Sequence, residues 1–173
     1  MIKPNELRIG NLVNLLSSPE PVSIPVGLVM KISEILKDGV TAYDHKEPYT
    51  LTIPYQRIDG IPVTEEILIK FGFRKSDSPY SDKPAYAFGK DASTYVWCEG
   101  AFYKPLSAAN GAFAFVRITP AIYTPYQSNC KYVHQLQNFV FYFTGTEISI
   151  DLIFFNKQWY SIKEESVEKQ SQH

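Results

Sequence analysis

Lys131–Gly145, KYVHQLQNFVFYFTG, is the stretch whose reading decides the fold, because its apolar residues recur at helical spacing while the chain around it reads as strand and turn. Projected at 100° per residue, Tyr132, Val133, Leu136, Phe139, Val140 and Phe143 share one stripe, the pattern of a helix with a core face. At roughly 1.5–3 kcal/mol for each large apolar side chain fully buried, such a stripe can anchor the helix to a sheet. The opposite flank is less ordinary. His134, Gln137, Asn138 and Phe141 fall at i, i+3, i+4 and i+7, so a histidine, two amides and a phenylalanine share one surface. One reading is a recognition stripe for another protein, a second subunit or a small ligand. The other is that a C-terminal strand covers Phe141 while the amides bond to nearby loops.

Working outward, the segments before this helix read as strands. Tyr95 and Trp97 alternate with Val96 and Cys98, and Phe113 and Phe115 alternate with Ala114 and Val116, the period of two that a sheet imposes. Three strands are expected: Ala85–Phe88, Thr94–Glu99 continuing past Gly100 into Phe102–Leu106, and Phe113–Ile118. Between Tyr95 and Gly145 the only formal charges are Glu99, Lys104, Arg117 and Lys131, so this stretch is either largely buried or offers an aromatic surface to a partner. After the helix, Glu147–Phe155 reads as a closing strand and Ser161–His173 as a polar, disordered tail.

The clearest local signal in the first half is Ile61–Phe73, IPVTEEILIKFGF. Thr64 can cap a helix start, Glu65 and Glu66 complement its positive end, and Gly72 supplies the left-handed residue that closes it. Val63 before the cap and Phe73 after the glycine can both return to Leu68, making this short helix a joint. Before it, residues 5–16 read as a strand kinked at Gly10-Asn11, and Val26–Ile35 as a second strand. Asp38-Gly39 marks a hairpin, Val40–Asp44 its return arm, and Tyr49–Ile53 a further strand. Ser17–Pro25, with three prolines, reads as an exposed loop. Short strands at this spacing predict a small SH3-like barrel, with an open meander as the alternative.

Composition supports two regions made of different materials. Of the Phe, Tyr and Trp residues, only Tyr43, Tyr49 and Tyr55 precede position 71, whereas most prolines lie in the first 62. A net charge of −1 gives no electrostatic footprint for a nucleic-acid backbone. No apolar run approaches the roughly 20 residues that span a bilayer, and the first residues lack a signal-peptide core, so the expectation is a cytoplasmic protein. Two cysteines, Cys98 and Cys130, are too few for a disulfide scaffold.

Candidate chemistry is sparse. Cys130 and His134 stand one helical turn apart, with Cys130 in the first turn where the dipole favours a thiolate, a nucleophile-and-base spacing without an orienting carboxylate. A zinc site from Cys98, Cys130 and His134 lacks a fourth ligand and any C-x-x-C spacing. Neither G-x-G-x-x-G nor a phosphate-cradling P-loop is present, and no cofactor is expected. Tyr95, Trp97, Phe102, Tyr103, Phe113 and Phe115 could stack bases as sheet aromatics do, but few basic residues accompany them.

Three blocks, NELRIGNLV, IPVTEEILIKFGF and KYVHQLQNFVFYFTGTEISI, resemble in order and spacing a group of small uncharacterised proteins of phages, prophages and mobile elements of Bacteroides-like gut bacteria. Their motifs run approximately as ELRIGNWV, PLTEEWLLKFGF and VHQLQNLYFALTGEEL, and this chain departs from them at Leu12, Ile67 and Phe139–Tyr142. The resemblance implies a mobile-element context and transfers no activity.

The expectation is therefore an α+β, mostly β protein. Residues 1–62 form an SH3-like barrel region, 63–160 an α-β-β-β-α unit with a closing C-terminal strand, and 161–173 a tail. Its expected function is non-enzymatic: stoichiometric binding of a host protein or a small signalling molecule, as counter-defence proteins do, with His134, Gln137, Asn138, Phe141, Trp97 and Tyr95 as binding residues. A nucleic-acid-binding accessory role and a thiol enzyme using Cys130 and His134 rank behind it, and a homo-oligomer through the same stripe is a further arrangement.

Overall fold

The computed structural model describes residues 2–17, 27–44, 50–78, 82–89, 95–107, 113–118, 130–148, 150–152 and 154–156. The expected Pro-rich loop lies mostly outside this set and the expected tail wholly so.

The protein is mostly β: the described residues form two five-stranded antiparallel sheets and two named α-helices, with a further helical turn near the end of the described chain. In the first sheet the strands are β1 (Leu12–Leu15), β2 (Val29–Ile35), β3 (Gly39–Tyr43), β4 (Thr50–Pro54) and β5 (Ile58–Asp59), in the order β4-β3-β2-β1-β5. The chain thus meanders through four strands and returns to pair β5 with β1, Leu15 opposite Ile58. The Asp38-Gly39 hairpin forms as expected, with the Leu36 amide donating to the Gly39 carbonyl at 2.9 Å. Gly39 is required there because any Cβ would press into the Ile53 carbonyl of β4.

The kinked strand expected over residues 5–16 is shorter than its pattern. Pro4–Glu6 is a turn of 3-10 helix, Gly10 takes a φ of 90°, and only Leu12–Leu15 pair as a strand. Of the residues between, Gly10 and Asn11 still bond β2, the Gly10 amide donating to Ile32 O at 2.8 Å and the Asn11 carbonyl accepting from Ile32 N–H at 2.9 Å, while Glu6 and Arg8 are engaged by a distant helix.

The second region contains more strands than expected. After α1 (Glu65–Lys70) come β6 (Arg74–Ser76), β7 (Ala85–Phe88), β8 (Tyr95–Cys98), β9 (Ala101–Ser107) and β10 (Phe113–Ile118), paired in the order β10-β9-β8-β7-β6 and followed by α2 (Val133–Thr144). The run expected to continue through Gly100 instead reverses there. Glu99 and Gly100 have φ of 49° and 83°, and Cys98 faces Ala101 across a two-residue hairpin. Positive φ at both central residues matches the twist of the flanking strands, and here a glutamate tolerates it beside a glycine. The expected closing C-terminal strand is also corrected: Leu152 and Phe154–Asn156 are helical. Ile148, Leu152 and Asn156 are all buried, a spacing of four that a helical turn satisfies better than a pleat.

Both expected helix ends in the joint are present. The Thr64 hydroxyl accepts from the Ile67 amide at 3.3 Å. At the other end, Phe73 N–H donates to Leu68 O and Gly72 N–H to Ile69 O, the paired bonds of a Schellman ending. Just upstream, Val63 N–H bonds Lys131 O and Val133 N–H bonds Ile61 O, so the joint is laced to the start of α2.

One apolar core unites the regions. Leu12 and Val29 of the first sheet join Ile67, Leu68 and Phe71 of α1, Phe73, Tyr86 and Phe102, and Val133, Leu136, Phe139 and Val140 of α2. A second cluster, including Val13, Leu15, Met30, Ile32, Val40 and Ile53, fills the interior of the first sheet. The period of two divides the second sheet likewise. Tyr86, Tyr95, Trp97 and Phe102 face α2, whereas Ala85, Val96, Cys98 and Tyr103 form a separate cluster on the reverse face.

Candidate functional site: the polar flank of α2

The two flanks of α2 behave differently. Of the expected core stripe, Val133, Leu136, Phe139 and Val140 are buried, Phe143 packs at the edge of the core, and Tyr132 stays 37% exposed as the residue preceding the helix. Gly145 ends the helix in the left-handed conformation, its N–H donating to Phe141 O at 2.8 Å.

The polar flank is met by the chain's own N-terminal segment. Gln137 is buried, its Oε1 accepting from the Leu12 amide at 2.9 Å and its Nε2 donating to the Gly10 and Ile148 carbonyls at 3.3 Å each. One side-chain amide thus satisfies three backbone groups of two segments. Asn138 Oδ1 accepts from Arg8 Nε at 3.1 Å and from Asn11 Nδ2 at 2.9 Å, while its Nδ2 donates to Glu6 O at 2.7 Å. Gln135 closes the helix start, its Oε1 accepting from the Lys131 and Tyr132 amides, and its Nε2 reaches Glu6 Oε2 at 3.2 Å.

His134 is fully buried and stacked on Tyr132, with ring centroids 5.9 Å apart. Its Nε2 lies 3.6 Å from Glu6 Oε2, and among the described residues neither ring nitrogen has a hydrogen-bond partner. At that length the contact is electrostatic rather than directional. The facing imidazole, more than any other neighbour, holds the Glu6 carboxyl below its ordinary value, with help from the Gln135 amide and against partial burial.

Asn138 is half-buried, and the far end of the flank is the most open to solvent. Phe141 is 39% exposed, and the Arg8 guanidinium lies over its ring, 4.2 Å from the centroid. Arg8 is held there by Asn138 and by both carboxylate oxygens of Glu147, Nη2 to Oε2 at 3.0 Å. Ile9, 58% exposed, follows Arg8 in the same segment. Of the six expected binding residues, the structure brings His134, Gln137, Asn138 and Phe141 onto one surface, but His134 and Gln137 are covered by residues 6–12. Tyr95 and Trp97 sit on the opposite side of the helix: Tyr95 packs 5.3 Å from Phe143 and 6.1 Å from Phe139, and Trp97 Nε1 donates to Cys130 O at 3.1 Å. They are wall residues of the core, half-buried. The side chains of Phe113 and Phe115 lie outside the described set.

The Cys130–His134 pairing has no activated thiol. Cys130 precedes the helix rather than lying in its first turn, so the dipole does not reach it. Its Sγ donates to Gln135 O at 3.7 Å, and burial pushes the thiol up to about 12. A protonated, enclosed sulfur is a weak nucleophile, since the thiolate is the reactive form. Both cysteines are buried, so in the native protein both are expected to react with an aromatic disulfide reagent at pH 8 at least about 100-fold more slowly than in guanidinium, where access is complete. A Cys130 that reacts at the free-thiol rate would return the thiol-enzyme reading. Among the described residues, no group of three His, Cys, Asp or Glu is placed to hold a metal ion, and no helix is long and apolar enough to cross a membrane.

Sequence reasoning missed Glu6, Arg8, Asn11 and Glu147, which complete the surface. The sequence signal for the first three is that polar residues crowd the Gly10 turn where strand alternation should run. Compared with family models, curated proteins and solved structures, the chain matches none.

Proposed function

We propose that this chain is a non-enzymatic accessory protein of a phage or mobile element that acts by stoichiometric binding of a host protein in the bacterial cytoplasm. The observation that carries the reading is the Arg8–Phe141 pair: an exposed aromatic ring with a guanidinium fixed over it by Asn138 and Glu147. Exposed aromatic and arginine side chains dominate interface energetics, and a rim already locked in one geometry loses little entropy when a partner arrives. The neighbouring Ile9 and the solvent-facing Tyr142 widen the apolar contact. The inward placement of Tyr95 and Trp97 weighs against base stacking, and the buried Cys130 thiol against covalent catalysis. The order β4-β3-β2-β1-β5, with a 3-10 turn at Tyr55–Arg57 between β4 and β5, supports reading the first sheet as a small SH3-like barrel that presents the N-terminal segment to α2.

The test is native mass spectrometry of protein purified from its bacterial host, set beside its denatured mass. The wild type should retain a bound protein, and Phe141→Ala should release it while losing only about 1 kcal/mol of stability, or roughly 2–4 °C in Tm. A retained mass indifferent to Phe141→Ala, or none at all, would remove the proposal.

A further inference from the structure

The N-terminal segment does more than end the first sheet: residues 6–12 lie along the polar flank of α2, in the place where an external ligand would meet His134, Gln137 and Asn138. Its fastenings are of four kinds, the first being the Gly10 amide and the Asn11 carbonyl, which bond Ile32 of β2 and hold the end of the segment to the first sheet. Backbone groups at Glu6, Gly10 and Leu12 bond the two amides. Arg8 pairs with Glu147 at the exposed rim. Between these, the Glu6 carboxylate is, among the described residues, the anionic group set against the fully buried imidazole, 3.6 Å from Nε2 and 3.2 Å from the Gln135 amide.

We propose that Glu6 is a proton-operated latch: while ionised it clamps the start of the N-terminal segment across the flank of α2, and its protonation lets residues 6–8 lift and uncovers His134. The charged and titratable groups of every element packed there bear this out. From the N-terminal segment come Glu6 and Lys3, whose charge also acts on Glu6. From α2 and its approach come His134, Tyr132, Lys131 and the protonated Cys130 thiol. From β5, Asp59 bonds the Gly60 amide, and the Gly60 backbone is pressed against Tyr132. From the stretch after α2 comes Glu147, already neutralised by Arg8. Removing the Glu6 charge therefore leaves the imidazole without the carboxylate that faces it, in a desolvated ring whose nitrogens make no hydrogen bond among the described residues.

The direction follows from linkage. The folded-state value of Glu6 is lowered from 4.5, so its contribution is fully present above about pH 4.5 and is lost as pH falls through the lower folded value. Such a latch holds at neutral pH and opens in acid or when a cation competes for Glu6.

The experiment follows the side-chain N–H resonances of Arg8, Gln135 and Asn138 by NMR between pH 7 and 3, with far-UV circular dichroism recorded on the same samples. Wild-type protein should show one shared transition centred below pH 4.5 with the dichroism unchanged. Glu6→Gln should lose that transition and sit at the released end at every pH, whereas Glu147→Gln should retain it. The proposal is overturned if Glu6→Gln titrates like the wild type, if Glu147→Gln abolishes the transition, or if the resonances move only together with global unfolding.

Discussion

Gln137→Leu should lower stability by about 3–5 kcal/mol, a Tm loss on the order of 10 °C, although leucine has nearly the same volume and higher helix propensity. The substitution strands the Leu12 amide and the Gly10 and Ile148 carbonyls, each bonded to this one side chain. A buried backbone group without a partner costs roughly 1–3 kcal/mol, far more than the few tenths that leucine returns in propensity. Urea unfolding followed by tryptophan fluorescence measures the difference. A loss below about 1 kcal/mol would mean that water or a shifted β1 replaces the amide, and that the seam is less tightly determined than its geometry implies.

The second large effect is expected at Asn156. Its amide is fully buried and pairs with the edge of β2 as a strand would, Oδ1 accepting from Val29 N–H and Nδ2 donating to Val29 O, both at 2.9 Å. Nδ2 also donates to Asp44 Oδ1 at 3.2 Å. Asp44 directly follows β3, so Asn156 fills the fork where β2 and β3 part and fastens the C-terminal helical turn to the first sheet. Asn156→Asp keeps the shape but replaces the donor by an oxygen that faces a carbonyl and a carboxyl. At pH 7 we expect a loss of about 3–5 kcal/mol, the usual cost of a buried charge without a counterion.

The pH dependence separates charge from shape. The introduced carboxyl would have its folded-state value raised by burial and by Asp44, so the penalty is absent below the unfolded value, about 3.9, and grows as pH rises through the folded one. When protonated, its hydroxyl can again donate to Val29 O. The gap between wild type and Asn156→Asp should therefore narrow as pH falls from 7 towards 4. Asn156→Ala, which removes the group altogether, should show a gap nearly independent of pH. Thermal melts of the three proteins across that range measure it, and a constant gap for Asn156→Asp would refute a buried, ionised carboxylate.

These two amides also show what could be read from the chain and what could not. The apolar stripe of α2 was legible because 3.6-residue periodicity is a property of the helix itself. The Thr64 cap and the Gly72 ending were legible because their bonds close within five residues. The polar flank was visible as a pattern, but not its partner: Gln137 bonds residues 125 and 127 positions away, and nothing local distinguishes an amide waiting for a ligand from one already satisfied. The expected strand at Glu147–Phe155 failed for a related reason. Its β-branched and aromatic composition favours a pleat, but burial of Leu152 and the bonds of Asn156 to β2 require the four-residue spacing of a helical turn.

What the sequence determined by itself, then, was everything whose energy is paid within a few residues: the two helices, the first hairpin, the alternation of the strands, and the absence of a phosphate-cradling or Cys-pair metal motif. Tertiary structure alone decided that His134 and Gln137 face the chain's own N-terminal segment, that Tyr95 and Trp97 close the core, and that Phe141 with Arg8 is what remains in solvent. The physical reason is that a buried polar group must find a partner wherever the fold brings one, and that partner can lie at any separation along the chain.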